Sequence, residues 1–150
     1  MKLSKNFSLS EMTRSSTATK KGIDNAPNSS QIENLRILCD NVLQPLRDAL
    51  GPITISSGFR SVKLNTAIGG SSSSQHCALK GAAGDIDLGS RNAEVFNYIK
   101  DNLVWDQLIW EFGDTDKNPS WVHVSFNKDN NRKQILKAIK QNGKTKYINF

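Results

Sequence analysis

One stripe of apolar residues limits what this chain can fold into. Ile32, Leu35, Leu38 and Cys39, Val42 and Leu43, Leu46 and Leu50 recur at helical spacing. They predict one long core helix over about residues 31–50. Ser30-Gln31-Ile32-Glu33 reads as its capping box, Pro45 as a kink, and Gly51-Pro52 as its end. A second start signal stands near the N-terminus. Ser8 would cap a short helix, Glu11 would close its box, and Phe7 and Met12 would staple it. Ser15-Ser16-Thr17 ends that helix, and residues 20–29 read as a polar loop.

Short strands surround the long helix. Ile53-Thr54-Ile55-Ser56-Ser57 alternates and is β-branched, and a loop carrying Asn65, Gly69 and Gly70 follows it. Ala83 to Leu88 reads as a second strand, with Asp85 and Asp87 on one face. A helix is expected from Ser90 to about Asn102. Strands over 105–112 and 121–126 would form a hairpin around a polar loop. His123 and Glu111 would then share a face, and a register setting them opposite each other is allowed. Residues 131–141 read as a basic C-terminal helix with Ile135, Leu136 and Ile139 as its stripe. The expected fold class is α+β, a small antiparallel sheet with flanking helices, in one domain over 1–150.

Composition excludes some classes. No run approaches the roughly 18 apolar residues of a membrane span. Lys2 and Lys5 are not followed by an apolar h-region, so no signal peptide is expected and synthesis is placed in the cytoplasm. The formal charge of +6 suits an anionic partner, nucleic acid or bacterial cell wall, or simply solubility. Arg132, Lys133, Lys137, Lys140, Lys144 and Lys146 form a basic series without interleaved aromatics before Tyr147. With no nucleic-acid motif beside it, that argues against nucleic acid. Cys39 reads as a core residue and Cys77 as an alternative thiolate ligand; no disulfide is expected.

The chain has two histidines, His76 and His123. His76 precedes Gly81-Ala82-Ala83-Gly84-Asp85, and His123 lies in Trp121-Val122-His123-Val124. Two imidazoles and a carboxylate on or beside strands suit a catalytic zinc site, which takes three protein ligands and keeps a position for water. Zinc would lower the pKa of that water to about 7. The set is His76, Asp85 and His123, with Asp87 as the alternative carboxylate.

These stretches, with Ser57-Gly58-Phe59-Arg60-Ser61 and Phe7-Ser8-Leu9-Ser10-Glu11, resemble the zinc D-alanyl-D-alanine carboxypeptidase family and its phage-type branch. The resemblance runs from about Phe7 to about Arg132. It implies the hedgehog/DD-peptidase fold and a zinc peptidase acting on peptidoglycan, as a carboxypeptidase or an endolysin-like endopeptidase. It also implies action on the cell wall during phage lysis or from a virion. A monomer is expected. His76, Asp85 and His123 would be the zinc ligands. Arg60 would hold a substrate carboxylate or the developing oxyanion, with a structural salt bridge as its other reading. Ser74 would touch substrate, and Trp121 would line the groove or pack the hairpin.

Two departures qualify the likeness. Asp85 stands nine positions after His76 where the family's usual spacing is seven. Ser120 occupies the position, three before the second histidine, where many relatives carry a catalytic carboxylate. The general base is therefore expected to be Glu111, with Asp106 and Asp116 as weaker candidates. The competing reading is a non-catalytic cell-wall-binding or virion structural module that keeps the fold.

Overall fold

The computed structural model describes residues 1–150. A small antiparallel pair, β1 (Lys2–Ser4) and β2 (Phe7–Ser8), opens the chain. Helix α1 (Leu9–Thr13) follows directly, with the Ser8 side chain accepting from the Glu11 N–H as expected. Helix α2 (Ser16–Lys21), capped by Ser15, was not expected; its serines and threonines suit a cap and first turn rather than a helix body.

The long helix is one rod in three parts. Helix α3 (Ser29–Leu38) runs into a π-helical turn (Cys39–Leu43) and then α4 (Gln44–Leu50). The Gln44 N–H reaches back to the Cys39 carbonyl. Widening the turn here lets the rod pass Pro45, which has no N–H and whose ring crowds the preceding turn. The cap is two residues earlier than expected. Asn28 Oδ1 accepts from the Gln31 N–H at 2.9 Å, and Gln31 Oε1 accepts from the Asn28 N–H at 2.8 Å. Ser30 and Glu33 therefore lie inside the helix, where Glu33 meets Arg36 at 3.6 Å.

The rest of the chain builds a six-stranded sheet in the order β3-β4-β6-β5-β7-β8. Its strands are β3 (Ile55–Ser57), β4 (Ala82–Ile86), β5 (Gln107–Glu111), β6 (Trp121–Phe126), β7 (Gln134–Gln141) and β8 (Lys144–Asn149). Helix α5 (Val62–Ala67) lies between β3 and β4, and α6 (Asn92–Asn102) between β4 and β5. The fold is α+β as expected, but the sheet is mixed, because β5 and β7 run parallel.

The largest correction falls at the C-terminus. Residues 134–149 form a hairpin, not a helix. Asn142 and Gly143 turn it with φ of 53° and 76°. Both values belong to the left-handed region that a two-residue hairpin turn requires, which Asn and Gly adopt most cheaply.

One sheet face packs on the helices. Ala82, Ile86, Leu108, Trp110, Val122 and Val124 join Leu35, Leu38, Val42, Leu46, Phe96 and Ile99 in the core. Strand alternation sends Asp85, His123, Ile109 and Glu111 to the opposite face, over which the loop carrying Arg60 and His76 folds.

Candidate metal centre

The register of three strands places the site. Asp85 on β4 lies opposite His123 on β6, and His123 lies opposite Ile109 on β5. Glu111 pairs with Trp121 instead of His123. It keeps the expected face but stands two residues farther along. The bridge between Asp114 and Asn118 inside the connecting loop sets that register.

His76 comes from outside the sheet, in a single 3₁₀ turn (Gln75–Cys77) capped by Ser74. Helix α3 pins this turn from below. Gln31 Nε2 donates to the Cys77 carbonyl at 3.0 Å, and Asn34 Nδ2 donates to the Ala78 carbonyl at 2.8 Å. The His76 ring is oriented by the Gly58 carbonyl, 2.7 Å from Nδ1. Nδ1 is thus the protonated nitrogen, and Nε2 is left facing Asp85.

The three side chains converge. His76 Nε2 is 3.4 Å and His123 Nδ1 is 3.0 Å from Asp85 Oδ1. One ligand atom from each residue lies within 4.8 Å of the others. All three residues are buried, at 3%, 8% and 9% exposure for His76, Asp85 and His123. The two imidazoles meet edge to face, with centroids 5.1 Å apart. Burial by itself would lift the Asp85 carboxyl. The charges and hydrogen bonds of His76 and His123 outweigh it and hold Asp85 well below the usual carboxylate range. A carboxylate fixed in its ionised form between two imidazoles is a donor set suited to a divalent metal such as zinc. Between His76 and Asp85 the chain turns through the segment 77–81, where Ala78 and Gly81 adopt positive φ of 55° and 76°.

A cleft of about 590 Å³ opens over the trio. Arg60, Ser74, Glu111 and Trp121 all line it. Arg60 Nη1 donates to Asn65 Oδ1 at 3.0 Å, and Asn65 Nδ2 donates to the Ser71 carbonyl at 2.8 Å. Arg60 thus has no carboxylate partner; an amide holds it at the rim. Burial pushes the Glu111 carboxyl up to about 7; the His123 charge opposes this and the Asp85 charge adds to it.

The other carboxylates lie elsewhere. Asp87 accepts from the Gly89 N–H and Asn92 Nδ2, away from the trio. Asp106 is buried and bound by Arg132 and Gln75, and Asp116 is exposed in the loop after β5. Cys77 is buried but is not among the converging ligand atoms, and Cys39 lies in the core.

A family model described as peptidase M15 matches residues 5–125. The chain belongs to the peptidase M15 family. A zinc D-Ala-D-Ala carboxypeptidase of Streptomyces albus G is 47% identical over 51 residues, 33% of this chain and 19% of that protein. The shared stretch therefore spans about a fifth of that relative's length. In this M15 chain the sequence reading missed four cleft residues of the C-terminal hairpin: Gln134, Leu136, Thr145 and Tyr147. The Asn142-Gly143 pair was the signal that could have placed them there.

Proposed function

We propose that this chain is a zinc peptidase that hydrolyses amide bonds in the peptide stems or cross-links of bacterial peptidoglycan. The observation that carries the reading is the convergence of His76, Asp85 and His123 inside a cleft shared with Glu111 and Arg60. His76 would ligate through Nε2 and His123 through Nδ1, each with Asp85 beside it. Zinc held there supplies a Lewis acid that polarises the substrate carbonyl and makes a water easier to deprotonate.

The chain's own residues would do the rest. Glu111 accepts a proton from the attacking water and returns it to the leaving amine. A carboxyl lifted by burial toward neutral pH is suited to both halves of that task. Arg60, steadied by Asn65, holds a substrate carboxylate or the oxyanion. Ser74 and Trp121 line the path of the peptide. The relative's name points to removal of a terminal D-alanine; endolysin-like cleavage within a cross-link uses the same groups. Action at the cell wall, in phage lysis or from a virion, belongs to this reading.

Digestion of purified peptidoglycan, with products identified by mass spectrometry, tests it. Chelator-sensitive release of D-alanine or of stem fragments is expected. About one zinc per chain is expected, with a large loss in His123→Ala. Cleavage unaffected by chelator overturns the zinc peptidase. Ser120, standing where many relatives carry a carboxylate, favours a second reading, a binding module without catalysis; retention on cell wall without products would establish that instead.

A further inference from the structure

The family match ends at residue 125, yet one wall of the cleft is built from residues 134–147. That wall is the β7–β8 hairpin. It is fixed to the sheet rather than hung beside it. Strand β7 pairs in parallel with the whole of β5, from Gln107 with Gln134 to Glu111 with Ala138. The Phe150 ring stacks on Phe96 at 5.0 Å on the helix side. Arg132 binds the buried Asp106 carboxylate through its backbone N–H at 2.8 Å and Nε at 2.9 Å, just before β7 begins.

The register aims one side chain of this wall at the reaction centre. Glu111 lies beside Ala138, and Ala138 lies beside Tyr147. The three form one row across three strands, with Trp121 extending it beyond Glu111. Ala138 is buried and small, so no bulky group separates the Tyr147 ring from Glu111. Thr145 and Leu136 flank the row and also face the cleft. Tyr147 itself is 54% exposed and joins none of the aromatic pairs that bind the hairpin to the core. A large amphipathic ring that faces a cleft without packing into the core is spending its surface on something other than stability.

We propose that the β7–β8 hairpin is the substrate-selecting wall of the cleft, and that Tyr147 contacts the peptide substrate beside the bond that is cut. Its ring covers the peptide chain and its hydroxyl hydrogen-bonds the peptide backbone. Thr145 and Leu136 shape the neighbouring pocket for the adjoining side chain. This rests on the peptidase reading above.

The test compares Tyr147→Ala and Tyr147→Phe with the parent chain, each loaded with zinc. Three readouts are taken: kcat and KM on a stem peptide, bound zinc, and calorimetric binding of that peptide in a Glu111→Gln background. Tyr147→Ala is expected to raise KM and weaken binding about tenfold, with kcat within about threefold and zinc unchanged. Tyr147→Phe, which keeps the ring, should lose about threefold. Unchanged KM and binding in Tyr147→Ala overturns the assignment while leaving the peptidase intact. Loss of zinc or of folded protein in both variants also overturns it, by showing a structural role. A parent chain that neither cleaves nor binds the peptide overturns the peptidase reading, and this one with it.

Discussion

Glu111 is a buried carboxylate without a hydrogen-bond partner, 7% exposed and facing the His123 imidazole and Asp85 across the cleft. Folding therefore raises its pKa from 4.5 to about 7. The native state then holds a proton that the unfolded state has released, so stability falls as pH climbs from about 4.5 to about 7. In metal-free protein, Glu111→Gln should remove that slope. The variant should gain on the order of 2–3 kcal/mol over the parent at pH 8 and nothing at pH 4, read from urea unfolding. The same variant should keep its zinc and lose at least about a hundredfold in kcat. Asp106 shows why exposure in sequence is a poor guide to such a role. Burial would raise it, but Arg132 and Gln75 hold it below its ordinary value, so it stays ionised and structural. The face of Glu111 was legible because strand parity sets it with His123; the fate of Asp106 depended on Arg132, 26 residues away.

Between residues and fold, two short pieces of backbone decide how well the site is made. Gly58 carries the carbonyl that orients His76, and a side chain there would run into the Met12 carbonyl. Gly58→Ala should shift that carbonyl and weaken zinc binding about 10–100-fold, measured by competition with a chelating dye. The Asn142-Gly143 turn decides the wall opposite. Gly143→Val would place a β-branched residue at φ of 76° and should cost about 1–3 kcal/mol in urea unfolding. That hairpin was misread because Ile135, Leu136 and Ile139 are compatible with a helix stripe. The structure uses a different period. Ile135 turns to the core while Leu136 turns to the cleft, as neighbours on a strand must. Local pattern could not show that a bare strand edge at β5 was waiting for them.

At the scale of the molecule, the site joins parts that are distant in sequence. His76 belongs to a loop pinned by α3, Asp85 to β4 and His123 to β6. Metal bound to the folded trio alone should therefore stabilise the whole chain. Zinc at about a thousand times its Kd should contribute about 4 kcal/mol and raise Tm by roughly 8–16 °C, reversed by chelator and read by calorimetry. Much of the plan was legible: the long helix, the four strands from Ile55 to Phe126 and the trio itself each have a local signature. The direction of β7 was not, because a parallel pairing is fixed by where the chain crosses, at Asp106. No helix is long and apolar enough to cross a membrane.

The crossing at Asp106 also sets an order of events. Strand β5 gains its outer neighbour only once residues 134–141 have been made, after His76, Asp85 and His123 are already present. Until then its edge amides and the Trp110 indole lack the cover that β7 and Phe150 provide. A chain stopped after Asn131 should thus scatter light at micromolar concentration while the chain through Phe150 stays clear. The selectivity wall would then double as the guard against self-association.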